Sequence, residues 1–169
     1  MDEFESWLQS ALSDHDDSEI SFPVTVENKT IMAAHGKARK NRYGDIIAYC
    51  NHVHSHRRDC VAGAIVVVNT SPIYENPDAF AKGLVRPRFD MNHIVKTTIE
   101  IFAKIPLRDT PDDPGEIPEA LAVIVVDYDG VNAATLVSDE RAPNQQDAVY
   151  YDNFLNRLCA LYEQRTHTR

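Results

Sequence analysis

Apolar residues recur along the chain with two different periods. Residues 61–69 and 120–128 are continuous apolar runs rich in β-branched side chains, which is typical of strands buried on both faces. Residues 22–29 instead alternate between apolar and polar side chains, the pattern of a strand with two unlike faces. Pro23 lies near the start of this segment and favours an edge position for it. The sequence therefore predicts three strands.

Four other segments repeat apolar residues at helical spacing. They are residues 3–12, 37–56, 91–105 and 150–164. Helices and strands then alternate along the chain, and strands separated by helices favour a parallel or mixed sheet covered on both faces. We predict an α/β fold of three layers, a mixed central sheet flanked by helices, formed as a single domain over residues 1–169.

The same patterns predict which helical residues point into the core and which segments are loops. The predicted core positions are Phe4, Trp7, Leu8, Ala11 and Leu12, then Ile46, Ile47, Tyr49, Cys50 and Val53, then Ile94, Thr98, Ile101 and Phe102, and last Phe154, Leu155, Leu158 and Leu161. Residues 70–90 are predicted to be an ordered loop with a short helix at 77–83. Residues 109–119 are acidic and rich in proline, and are predicted to form a surface loop.

Composition narrows the class of protein. Hydrophobic residues make up 43% of the 169 residues, which favours a folded domain over disorder. No apolar run approaches the ~20 residues of a membrane span, and residues 1–7 lack the basic and apolar regions of a signal peptide. The three cysteines form no CxxC pair, which indicates reduced thiols. We predict a cytoplasmic protein with no membrane partner.

Charge is unevenly spread along the chain. The net charge is −9, yet six cations fall between residues 37 and 58: Lys37, Arg39, Lys40, Arg42, Arg57 and Arg58. The first four lie at the start of a predicted helix, whose amino end attracts anions. This segment is where a polyanion could dock, and we predict that Lys37, Arg39, Lys40 and Arg42 contact the phosphates of a nucleic acid, with Tyr43 close by.

The strongest chemical signal is the triplet Glu27-Asn28-Lys29. Side chains two residues apart on a strand share one face, so the carboxylate of Glu27 and the ammonium of Lys29 lie together. Further acids lie just upstream, at Asp14, Asp16, Asp17 and Glu19. Hydrolysis of a phosphodiester needs a divalent metal held by oxygen ligands, an activated water and positive charge at the phosphate. An upstream acid with Glu27 would hold the metal, and Lys29 would orient water or neutralise the transition state.

In this region the chain resembles the PD-(D/E)xK, or restriction-endonuclease-like, nuclease superfamily. The resemblance covers residues 14–69: Asp17 stands ten residues before Glu27, and the triplet is followed by the predicted helix 37–56 and the buried strand 61–69. It implies a restriction-endonuclease-like core that cleaves DNA in restriction or defence. It also implies that Asp17 and Glu27 bind Mg²⁺ or Mn²⁺ and that Lys29 is the catalytic lysine. A homodimer would bring one site to each DNA strand.

Three other interpretations remain open. His52, His54 and His56 could ligate zinc, although residues two apart on a helix point in different directions. The segment 123–131 resembles the first motif of the haloacid-dehalogenase-like phosphatases, with Asp127 as nucleophile and Asp129 as acid/base. The simpler interpretation is that Asp127, Asp129 and Gly130 form a turn that ends a strand. Finally, the chain could be a non-catalytic interaction or scaffolding module of a larger complex.

Overall fold

The computed structural model describes residues 23–74 and 90–167, and these contain four strands and three helices. The strands are β1 (Val24–Ile31), β2 (Val61–Asn69), β3 (Ala120–Asp127) and β4 (Thr135–Leu136); the helices are α1 (His35–His56), α2 (Met91–Phe102) and α3 (Tyr151–His167). The predicted helices at 3–12 and 77–83 lie outside the described residues.

The strands form one mixed sheet in the order β1-β2-β3-β4. The first three strands are parallel, with Val24 beside Val61 and Gly63 beside Ala120, and β4 pairs antiparallel with the end of β3. The two-residue strand β4 was not predicted because both of its side chains are exposed, so it leaves no hydrophobic pattern. Within the described residues β1 therefore lies at an edge, as Pro23 indicates.

Helices cover both faces of the sheet. Helices α1 and α2 pack on one face around a core that includes Ile46, Cys50, Val66 and Phe102. Helix α3 packs on the other face, where Phe154, Leu158 and Leu161 meet residues of β2 and β3. The predicted α/β fold with a mixed sheet between helices is confirmed.

The predicted core positions between residues 4 and 12 lie outside the described residues; of the thirteen others, eleven are buried or half-buried and two are not. Ile101 and Leu155 are exposed, contrary to the prediction. In α2 the buried stripe is formed by Met91, Val95, Thr98 and Phe102, and Ile101 lies one position off that stripe. Helix α2 also ends at Phe102 rather than at residue 105, and α1 begins at His35 rather than at residue 37.

The three cysteines form no disulfide bond with one another. Cys50 and Cys60 are buried, Cys159 is exposed, and all three are free thiols, as predicted. Burial raises the pKa of Cys50 to about 12, which leaves its thiol unreactive. No helix within residues 23–74 and 90–167 is long and apolar enough to cross a bilayer.

Strand β1 turns its polar face toward a helix. Thr25, Glu27 and Lys29 are half-buried on the side of α1, in line with the buried Ile31. Val26 lies on the opposite face and is 38% exposed. Packing alone would select the reverse arrangement, with the valine covered and the charges in water.

Helix α3 approaches β2 so closely that Gly63 has no space for a side chain. A Cβ at this position would lie 2.9 Å from Phe154 Cε2 and 3.2 Å from Leu158 Cδ2. We expect Gly63→Ala to lower the free energy of unfolding by about 1–3 kcal/mol because the core is overpacked. Denaturant titration followed by circular dichroism measures this change.

Gly44 supplies the matched control for that substitution. It lies inside α1, and a Cβ added there would meet no atom within 4 Å, so Gly44→Ala should raise stability by about 0.5–1 kcal/mol. Equal effects of the two substitutions would contradict the packing described for α3.

Candidate active site on strand β1

The ammonium of Lys29 lies between two carboxylates. Its Nζ atom forms an ion pair with Glu27 Oε1 on the same strand and lies 4.0 Å from Asp45 Oδ2 on α1. All three side chains are partly shielded, with between 23% and 38% of each exposed. The structure thus brings the predicted pair Glu27 and Lys29 together and adds a second acid.

Helix α1 supplies and orients that second acid. Arg42 Nη1 donates a hydrogen bond of 2.7 Å to Asp45 Oδ2, and Arg42 Nε donates one of 3.1 Å to the carbonyl of Thr30 on β1. Arg42 therefore fixes Asp45 against the strand that carries Glu27. Asp45 was not identified from the sequence. The signal that could have indicated it is its position as a single acid next to the buried Ile46, within a segment that is otherwise basic.

A tyrosine and a threonine extend the polar contact between β1 and α1. The hydroxyl of Tyr49 is hydrogen-bonded to Thr25, and burial raises the pKa of Tyr49 above its ordinary value. Thr25 also contacts the buried thiol of Cys60 at 3.7 Å. The polar face of β1 is therefore paired along its length and not merely solvated.

The predicted first acid lies outside the described residues. This holds for Asp17 and for its alternatives Asp14, Asp16 and Glu19. The described part of the chain also has no group of three or more His, Cys, Asp or Glu side chains arranged to hold a metal ion. What it offers at this site is the carboxylate pair Glu27 and Asp45.

Glu27 and Asp45 are the carboxylates of this site that could hold a divalent cation such as Mg²⁺. Mg²⁺ keeps several waters and often takes only one or two protein carboxylates, with substrate oxygens completing its coordination. The position of Lys29 shows that the two carboxylates already attract one cation between them. Further oxygen ligands would come from water, from the substrate or from another acid.

The residues predicted to contact nucleic acid differ in their exposure and in their hydrogen bonds within the protein. Lys37, Lys40 and Tyr43 are exposed on α1. Arg39 is half-buried, and its Nη1 atom has no hydrogen-bond partner. Arg42 is engaged with Asp45 and the backbone of β1. The helix begins without a side-chain cap and without an acid in its first turn, so its amino end stays electropositive.

The carboxyl ends of the parallel strands, where α/β proteins commonly bind ligands, are joined by Asn69. Its amide donates to the carbonyls of Met32 and Tyr128, and its side-chain oxygen accepts from the N–H groups of Ser71 and Tyr128. Burial lowers the pKa of the adjacent His35, whose Nε2 is hydrogen-bonded to the carbonyl of Asn69. These groups satisfy one another and connect the strands.

Asp129 and Gly130, which follow β3, form a turn. Asp129 Oδ1 accepts the N–H groups of Val131 and Asn132, and Gly130 has a positive φ of 95°. The N–H of Asn132, with that of Val131, holds the pKa of Asp129 below its ordinary value. A general acid at neutral pH needs a raised pKa, so this geometry disfavours the phosphatase interpretation.

The three histidines of α1 point in different directions. His52 and His56 are exposed with their ring centroids 4.5 Å apart, whereas His54 is buried. His54 Nδ1 is hydrogen-bonded to the carbonyl of Gly115 at 2.6 Å, and Nε2 to Glu119 Oε2 at 3.1 Å. The imidazole is thus used within the protein and is not presented with its neighbours to a shared zinc ion.

The prediction of a surface loop over residues 109–119 is wrong at its end, because Glu119 is fully buried. Its carboxylate accepts hydrogen bonds from the buried Arg108, from Arg165 on α3 and from the backbone N–H of Ala62. This cluster lies at the amino ends of β2 and β3, whereas α/β sheets commonly bind ligands at the carboxyl ends of their strands. We interpret it as structural.

The chain matches no protein-family model, and comparisons with curated proteins and with solved structures likewise found no match.

Proposed function

We propose that the protein is a metal-dependent endonuclease that hydrolyses phosphodiester bonds, with DNA as the favoured substrate. The observation that carries this proposal is the cluster of Glu27, Lys29 and Asp45 on the helix-covered face of β1. A restriction-endonuclease-like core and a restriction or defence role belong to the same proposal and rest on the resemblance of residues 14–69.

The cost of this arrangement supports a functional role. Charged side chains lose favourable hydration when a helix shields them. A partly exposed ion pair contributes only about 0–1 kcal/mol to the free energy of unfolding and offsets little of that loss. Apolar side chains at these positions would pack against Ile31 and Ile46 at no such cost. Local departures from packing rules concentrate where a protein binds or reacts.

Each residue of the cluster has a distinct role in this proposal. Glu27 and Asp45 would hold Mg²⁺ or Mn²⁺, and Arg42 would keep Asp45 oriented. The bound metal would supply positive charge at the scissile phosphate and lower the pKa of a nearby water. Lys29 would neutralise the negative charge that develops on the phosphate oxygens.

The upstream acid can reach this cluster. Asp17 precedes Pro23 by six positions, and an extended chain spans about 3.3–3.6 Å per residue, or roughly 20 Å in all. Glu27 lies four positions along β1 from Pro23, which corresponds to about 13 Å of strand. Within the described residues no strand pairs with the outer edge of β1, so the segment that carries Asp17 has space to run back along this edge toward Glu27.

The substrate would approach along the start of α1. Lys37 and Lys40 are exposed there, and Tyr43 follows one turn later. A phosphate backbone suits exposed cations at the amino end of a helix. Cleavage of both strands of a duplex would require two copies of the site, for which a homodimer is the simplest arrangement.

Replacing Lys29 with methionine separates catalysis from metal binding. We expect Lys29→Met to slow Mg²⁺-dependent cleavage of plasmid DNA by about 10²-fold or more, because a charge at the transition state is lost. We also expect it to bind Mn²⁺ at least as tightly as the wild type, because the ammonium no longer competes for the two carboxylates. Initial cleavage rates and a Mn²⁺ titration measure the two effects.

Lys96→Met is the matched control, since Lys96 is an exposed lysine on α2 and outside the cluster. It should leave both quantities unchanged. A wild-type protein that cleaves neither DNA nor RNA with any divalent metal would refute the proposal and favour a non-catalytic interaction module.

A further inference from the structure

The two faces of the sheet are covered unequally. Two helices, α1 and α2, pack on one face, but only α3 packs on the other within the described residues, and it lies over β2 and β3. Val24 of β1 reaches the cluster around Phe154 and Leu158. Val26 points to the same face as Val24 and is 38% exposed. Among residues 23–74 and 90–167, nothing covers the part of this face around Val26 beside α3.

Helix α3 presents apolar side chains along that bare side. Leu155 and Tyr162 are 39% and 40% exposed, and their spacing of seven residues places them on one side of the helix. Tyr162 also lines a cleft of about 210 Å³ together with Pro23, the first described residue of the chain. We define the groove between α3 and β1 by the exposed side chains of Val26, Leu155 and Tyr162. Its end at Tyr162 lies beside Pro23, which residues 1–22 precede in the chain.

The same cleft contains hydrogen-bond donors without partners. Arg57, Asp59 and Arg165 line it; Arg57 is paired with Asp59 and Arg165 Nη1 with Glu119. The Nε and Nη2 atoms of Arg165 are buried without a hydrogen-bond partner. Buried donors without partners are costly, so a nearby acceptor is expected. The groove is thus apolar along its length, and at the end next to Pro23 it contains guanidinium donors of Arg165 that have no partner.

The segment before Pro23 has the complementary chemistry. Residues 1–22 contain seven acids, Asp2, Glu3, Glu5, Asp14, Asp16, Asp17 and Glu19, and no lysine or arginine. The apolar residues Phe4, Trp7, Leu8, Ala11 and Leu12 follow helical spacing. A helix over residues 3–12 would be about 15 Å long, and Leu155 and Tyr162 are separated by about 10 Å along α3. The ten residues that connect this segment to Pro23 allow it to reach the groove.

We propose that residues 3–12 form an amphipathic helix that packs into the groove between α3 and β1 of the same chain. It covers Val26, Leu155 and Tyr162, and carboxylates of the acidic segment bind the free donors of Arg165. The sheet then has two helices on each face. This proposal does not depend on the nuclease activity.

Trp7 reports directly on this packing because it is the only tryptophan in the chain. We expect the wild-type protein to show blue-shifted tryptophan emission and strong protection from acrylamide quenching. Leu155→Asp and, separately, Tyr162→Lys should shift the emission to the red and raise the quenching constant several-fold. Far-UV circular dichroism verifies that each variant is folded.

Val131→Asp is the control, since Val131 is 69% exposed and lies beyond β3, away from the groove. It should leave the emission and the quenching constant unchanged. Wild-type quenching as efficient as that of a free tryptophan analogue would overturn the proposal, as would protection that survives both groove substitutions. Protection that disappears on dilution would show that a second copy supplies the helix, and would overturn the intramolecular assignment.

Discussion

Replacing Glu119 with glutamine should lower the free energy of unfolding by about 3–5 kcal/mol, since the change leaves buried cations without their counter-ion. Arg108 Nη1 and Arg165 Nη1 both lie 2.9 Å from Glu119 Oε1, and the side chain of Arg108 is only 1% exposed. Denaturant unfolding followed by circular dichroism measures the loss.

The control for this prediction is an ion pair in water. Arg58 and Asp112 are 3.3 Å apart with both side chains largely exposed, so Asp112→Asn should change stability by less than about 0.5 kcal/mol. Removing Arg108 and Glu119 together should cost less than the sum of the two single changes. Additive losses would show that the pair is not coupled and would contradict the described network.

The same residue predicts a dependence of stability on pH. Burial raises the pKa of Glu119, but hydrogen bonds from His54, the Ala62 N–H and Arg165 outweigh burial and hold the pKa below its ordinary value. A lowered pKa in the folded state stabilises the protein above the unfolded pKa of about 4.3 and loses that contribution as pH falls through the folded pKa. The stability of Glu119→Gln should therefore depend less on pH in acid than that of the wild type.

Replacing Glu27 with glutamine should slow metal-dependent DNA cleavage by about 10²-fold or more, because the substitution removes one carboxylate of the proposed metal site. The amide keeps the size of the side chain but loses the charge that Lys29 contacts. The fold should persist, since the ion pair is partly exposed. Initial rates measured over a range of Mn²⁺ concentrations test this prediction.

Asp127→Asn is the matched control for Glu27→Gln. Asp127 is also a carboxylate on a strand of the same sheet, but it lies at the exposed end of β3 and outside the proposed cluster. It should retain the wild-type rate. A loss in Asp127→Asn with full activity in Glu27→Gln would relocate the chemistry to the end of β3.

Much of the fold follows from local pattern. The apolar runs of β2 and β3 are buried on both faces as their composition predicts, and helices separate the parallel strands. Strand β4 could not be predicted, because a two-residue strand is selected by pairing with Val126 and Asp127 and not by its own side chains. The burial of Glu119 was likewise not predictable from a segment whose other acids are exposed or half-buried.

The candidate site was predictable only in part. The two-residue period of β1 correctly brings Glu27 and Lys29 to one face. The alternation of side chains along β1 does not reveal which of its two faces a helix covers. In this protein a helix covers the face that carries Glu27 and Lys29. Asp45 is eighteen residues from Glu27 in sequence and joins the cluster only because α1 packs back across β1. Contacts of this kind depend on tertiary structure.

Calorimetric titration of Mn²⁺ into the wild type, Glu27→Ala and Asp127→Ala is the decisive experiment, because the proposed chemistry requires a metal at β1. We expect binding to the wild type and to Asp127→Ala, and no binding to folded Glu27→Ala. No binding to the wild type, or loss of binding in Asp127→Ala alone, would contradict the proposal.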